Sequence, residues 1–107
     1  KNFMVRIINR KDVLTDNEIE DILKVYKVIK NNEDIYIEVK GGWYSCCYPI
    51  YSNEKIEGFI IKLENKGDIF HELEHVKRFL ENRSQNEIIV ELFANINKLK
   101  YNFSKLL

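Results

Sequence analysis

Apolar residues recur along the chain with two periods, two and about three and a half, and the alternation between them sets out the elements. Phe3, Val5 and Ile7 alternate with Met4, Arg6 and Ile8, a strand with apolar residues on both faces. Thr15-Asp16-Asn17-Glu18 reads as a capping box, and Ile19, Ile22, Leu23, Tyr26 and Ile29 follow at helical spacing, predicting an amphipathic helix over 16–30. Asn31-Asn32-Glu33-Asp34 breaks it. Ile35, Ile37 and Val39 then alternate with Tyr36, Glu38 and Lys40, a strand with one buried face. Gly41-Gly42 predicts a turn into a second strand over 43–48, making a hairpin that Pro49 ends. Ser52-Asn53-Glu54-Lys55 is a polar turn before a further strand over 58–63. Asp68 is placed to cap a helix that carries Ile69, Leu73, Val76 and Leu80 and ends near 81 or 82. After a loop at 83–86, a last helix starts near Asn86. It bears Ile88, Ile89, Leu92, Phe93, Ile96 and Leu99 and continues toward Phe103.

The order is β–α–β–β–β–α–α, which predicts an α+β layer arrangement with helices on a small, mainly antiparallel sheet. At 107 residues the chain reads as one domain, 1–107, with no repeat, linker or low-complexity segment. Its content is 45% hydrophobic and 32% charged, the profile of a soluble globular protein. Lysine plus arginine and aspartate plus glutamate are both 17, so there is no basic footprint for nucleic acid and no electrostatic reason for a membrane partner. No apolar run approaches a membrane span or a signal-peptide core. Cys46 and Cys47 are adjacent and poorly placed to bridge each other, so a reducing cytoplasm is the expected compartment. The chain opens at Lys1 rather than Met, as a piece of a longer protein would.

The chemistry concentrates in His71-Glu72-Leu73-Glu74-His75. On a helix, residues four apart stack on one face, so His71 and His75 present two imidazoles to one Zn²⁺. Glu72 between them is placed to take a proton from the metal's water. On the helical wheel the histidines lie opposite the stripe of Ile69, Leu73, Val76 and Leu80. The final helix carries a second polar stripe, Glu87, Glu91 and Asn95. A short connection makes the two helices antiparallel neighbours. If the stripes meet, two imidazoles and one carboxylate form a three-ligand site with its fourth position open. The plainer alternative is a solvated His/Glu face with weak i,i+4 pairs.

Phe70-His71-Glu72-Leu73-Glu74-His75 resembles the active-site helix of zincin metallopeptidases, and Asn86-Glu87-Ile88-Ile89-Val90-Glu91 is similar to the second gluzincin motif. Extended through Leu92-Phe93-Ala94, it also resembles the glutamate helix of the ImmA/IrrE-type peptidases, many of which cleave or release transcriptional repressors. The resemblance covers about the last 45 residues by motif and the rest by layout. Glu74 stands where the family usually has Gly, and the family's proline-containing ending is absent.

The resemblance implies a minimal zincin-like domain whose metal ligands are His71, His75 and Glu87. Glu91 would hydrogen-bond a ligand histidine, Glu72 would be the general base, and Zn²⁺ the cofactor. It also implies that the strand before the histidine helix, 59–63, binds a peptide or protein substrate by strand addition. Hairpin geometry gives a different third ligand. With the loop centred on 83–84, the residue opposite the histidines lies near 92 or later, which favours Glu91 over Glu87. An oxyanion donor is sought among Tyr44, Tyr48 and Tyr51, for each of which aromatic packing with the hydroxyl at the surface is the better reading. Cys46, Cys47 and Trp43 read as packing residues.

The expected function is a cytoplasmic zinc metallopeptidase that hydrolyses peptide bonds, with a regulatory protein as one substrate class. The alternative is a non-catalytic, zincin-like regulatory or interaction module of a phage or mobile element. Neither reading sets the oligomeric state.

Overall fold

The computed structural model describes residues 6–10, 14–32 and 34–106. Phe3, Met4 and Val5 of the first predicted strand lie outside the described residues. The elements are β1 (Arg6–Arg10), α1 (Asp16–Leu23), α2 (Lys27–Lys30), β2 (Tyr36–Gly41), β3 (Cys46–Ser52) and β4 (Lys55–Leu63). A 3₁₀ turn (Lys66–Asp68), α3 (Ile69–Leu80) and α4 (Glu87–Ser104) follow. The fold is α+β. One sheet face packs Ile37, Val39, Phe59 and Ile61 against Ile19, Leu23 and Ile29 of the first helices and Leu73 and Val76 of α3.

The predicted capping box forms. The Glu18 amide donates to Thr15 Oγ1 at 3.1 Å and the Thr15 amide donates to Glu18 Oε1 at 3.1 Å. The single helix predicted over 16–30 does not. The backbone tightens after Leu23, with the Val25 and Tyr26 amides donating three residues back, and Tyr26 leaves helical geometry at φ −118°, ψ 65°. The break puts Tyr26 fully inside the protein, where its hydroxyl donates to the Phe70 carbonyl at 3.1 Å. That bond ties the N-terminal helices to the first turn of α3.

The sheet order is β1-β2-β4-β3, with β1–β2 and β2–β4 parallel and only β3–β4 antiparallel. The sheet is therefore mainly parallel, not mainly antiparallel as the sequence suggests. The reason lies in the turns. Neither Gly41 nor Gly42 adopts positive φ, so that pair makes no tight reversal, and β2 pairs with β4 instead. Among the described residues the one hairpin is β3–β4, closed at Asn53 and Glu54, which have φ of 52° and 66°. Two successive left-handed residues match the right-handed twist of a hairpin, and asparagine tolerates that region better than most residues. Pro49 lies within β3 rather than ending it; β3 is an edge strand, where a missing N–H is tolerated.

β2 and β4 can lie side by side because Gly58 faces Tyr36. A Cβ at position 58 would stand 2.6 Å from the Tyr36 carbonyl oxygen.

Candidate metal centre

α3 forms as its pattern predicts. Ile69, Leu73 and Val76 are buried and the opposite face turns toward α4. Asp68 occupies the cap position but makes no capping bond; its carboxylate accepts from Ser45 Oγ at 2.5 Å. Ser45 Oγ in turn accepts from the Glu64 amide at 2.8 Å, so one hydroxyl fastens the start of β3 to the entry of α3. α4 begins at a true cap, with Asn86 Oδ1 accepting from the amides of Ile88 and Ile89.

His71, His75 and Glu87 converge. Their ligand atoms lie within 4.8 Å of one another. His71 Nε2 is 2.8 Å from Glu87 Oε2, His75 Nε2 is 3.0 Å from Glu87 Oε1, and the two Nε2 atoms are 3.2 Å apart. Glu91 does not join them; its Oε2 lies 2.6 Å from His71 Nδ1, on the far side of the ring. The carboxylate beside both rings is thus Glu87, the residue the motif names, and not Glu91, the residue simple hairpin geometry favours.

The discrepancy comes from the connection. Asn82 turns left-handed at φ 54°. The chain then runs back along α3: Arg78 donates to the Ser84 carbonyl at 3.3 Å, and Gln85 contacts His75. A non-helical residue advances up to about 3.3 Å against about 1.5 Å in a helix, so residues 83–86 retrace up to about nine helical positions. α4 therefore starts beside the histidines and not at the end of α3.

His75 Nδ1 lies 2.6 Å from Gln85 Oε1, and Gln85 Nε2 donates to the His75 carbonyl at 3.2 Å, which orients the amide. With Nδ1 donating to Gln85, a neutral His75 is left with an unprotonated Nε2. His71 faces a carboxylate at each nitrogen, Glu91 at Nδ1 and Glu87 at Nε2. The two Nε2 atoms and the Glu87 carboxylate form an acceptor-rich group that a cation or a shared proton balances. Ligand distances of about 2.0–2.1 Å around a tetrahedral ion imply donor separations of about 3.3 Å. The two Nε2 atoms stand 3.2 Å apart, close to that, and each lies against its own oxygen of the Glu87 carboxylate, at 2.8 Å for His71 and 3.0 Å for His75. The residues present fit a divalent metal.

Electrostatics agree with the geometry. Partial burial opposes a charged His71, but the Glu91 and Glu87 carboxylates outweigh it and raise the ring's pKa. Glu72 is buried beside the group at 5% exposure. Burial pushes its carboxyl up, His71 and His75 pull it down, Glu87 and Asp68 push it further up, and the net is a raised pKa.

These residues line a cleft of about 330 Å³ between β3 and the start of α3 and α4. Cys46, Cys47 and Pro49 form one wall, His71, Glu72, His75 and Glu87 the other, with Phe59 and Phe79 between. Both cysteines are free and half-buried. Burial, then the neighbouring Glu72, pushes the Cys47 thiol up.

Tyr44, Tyr48 and Tyr51 are not among the residues that line the cleft. Two expectations are corrected. Trp43 is 96% exposed and packs on nothing. Residues 59–63 cannot add a strand, because β4 is paired on both sides, to β2 and to β3; the edge strand along the cleft is β3. Gln85 was not singled out by sequence, and its only signal was its place two residues before Glu87.

A second polar cluster joins α3 and α4. Glu74 and Arg78, at 0% and 3% exposure, pair at 2.9 Å, and Asn97 Nδ2 donates to the other Glu74 oxygen at 3.0 Å. The Arg78 guanidinium stacks 4.9 Å from the Phe93 ring centre. Glu74 thus joins α3 to α4 through a satisfied network, and the two helices need no small residue at that position.

Set against family models, curated proteins and solved structures, the chain finds no match.

Proposed function

We propose that this chain is a zinc-dependent metallopeptidase of zincin type. The observation that carries the reading is the convergence of His71 Nε2, His75 Nε2 and the Glu87 carboxylate within 4.8 Å, on the wall of an open cleft and beside the buried Glu72. Zinc is the ion favoured by two imidazoles and one carboxylate, and when bound it supplies Lewis acidity toward a peptide carbonyl and an attacking water.

The chain's own residues do the rest. Gln85 and Glu91 orient the two rings through Nδ1. Glu72, with its raised proton affinity, takes a proton from the attacking water and delivers it to the leaving amine. β3 is the strand along which an extended peptide lies, since it is the sheet edge at the cleft. Its Pro49 removes one donor from that edge.

The test has two arms. Protein purified without chelator is expected to carry about one zinc per chain, lost in His71→Ala. Glu72→Gln is expected to keep the metal and lose peptide cleavage. A metal-free wild type of equal stability removes the reading. A zinc-loaded wild type with no cleavage of any peptide library leaves the non-catalytic interaction module in its place.

A further inference from the structure

α4 is apolar on two opposite faces, and among the described residues only one has a partner. Val90, Ala94, Asn97 and Tyr101 face the body of the protein and are buried. On the other side Ile89, Leu92, Ile96, Leu99 and Phe103, followed by Leu106 two residues beyond the helix end, are exposed by 38, 57, 38, 61, 69 and 81%. Their spacing is 3-4-3-4-3, the seam of a coiled coil and not the broader stripe of a helix lying on a sheet. Together they leave on the order of 600 Å² of apolar surface in water, the upper end of what the largest patch of a monomer ordinarily shows. That is close to the ~800 Å² per partner of a standard interface.

We propose that this seam is a homodimer interface in which α4 of one copy lies antiparallel on α4 of the other. A self-complementary strip is what a two-fold contact requires, because one patch must serve both sides. Pairing about the Ile96–Leu99 midpoint sets Ile96 against Leu99, Leu92 against Phe103 and Ile89 against Leu106, so every seam residue finds an apolar counterpart. The helix dipole selects the direction: antiparallel pairing sets the N-terminal end of one α4 beside the C-terminal end of the other, and parallel pairing stacks like ends. The dimer would also brace the helix that presents Glu87 to the histidines.

Sedimentation at tens of micromolar protein is expected to give twice the 12.8 kDa chain mass. Ile96→Glu with Leu99→Glu is expected to give one chain mass with unchanged helical circular dichroism, since neither side chain belongs to the core. Direction is read by oxidative cross-linking against the wild-type background of Cys46 and Cys47. Leu92→Cys with Phe103→Cys is expected to link two chains, and Phe103→Cys alone is not. A wild type that stays monomeric, including one that co-sediments with lipid vesicles instead, overturns the proposal. So does a dimer that survives the double glutamate variant, or a Phe103→Cys variant that cross-links by itself.

Discussion

Gln85 holds His75 at both ends: its Oε1 lies 2.6 Å from the ring Nδ1 and its Nε2 donates to the His75 carbonyl at 3.2 Å. One residue of the connecting segment therefore sets a ring's tautomer and rotation while pinning that segment against α3. Gln85→Ala is expected to weaken zinc binding about 10- to 100-fold without unfolding the protein. Competition with a chromogenic chelator measures it; unchanged affinity would show that the ring is held by packing alone.

Glu87 and Glu91 differ in kind although they lie one turn apart. Glu87 faces both Nε2 atoms, and Glu91 faces only His71 Nδ1. Glu87→Gln is expected to abolish stoichiometric zinc, and Glu91→Gln to lower affinity by about 10- to 100-fold while preserving one site per chain. The reverse order of the two losses would assign the ligand role to Glu91.

The Glu74–Arg78 pair predicts a stability asymmetry. Arg78→Ala leaves a carboxylate buried with only Asn97 beside it, and is expected to cost about 3–5 kcal/mol. Replacing both partners, Glu74→Leu with Arg78→Met, removes charge and counter-charge together and is expected to cost less than Arg78→Ala alone. Urea midpoints at unchanged m-value separate the two cases. Equal losses would mean that the polar network itself holds α3 to α4.

Glu18 links stability to pH. The Thr15 backbone amide and then the Thr15 hydroxyl hold its carboxyl below the ordinary 4.5, Lys66 and Lys105 add to this, and slight burial opposes it. The unfolded chain therefore binds this proton more tightly. The contribution is complete above the ordinary value and disappears as pH falls through the folded one. Glu18→Gln is expected to lower the melting temperature at neutral pH and to show a smaller further loss on acidification than wild type. Parallel acid-side melting curves would remove the capping carboxylate as the cause.

Local features are legible in the chain's residue pattern alone. Thr15 and Glu18 fall three apart and close a box, and Asn86 caps whatever helix follows it. His71 and His75 share a face because an α-helix repeats every 3.6 residues wherever it lies. Glu87 was reachable only through a motif, because the facing of two helices depends on how far residues 83–86 travel back, and periodicity within either helix does not record that. Alternation in Ile37 and Val39 fixes a buried face but not a neighbour, so the parallel β2–β4 pairing waited on which turn could reverse the chain, Asn53-Glu54 and not Gly41-Gly42. The second apolar face of α4 was visible as residues. Only tertiary structure decided that the sheet and α3 leave it in water, since a buried face and an exposed one share the same helical period.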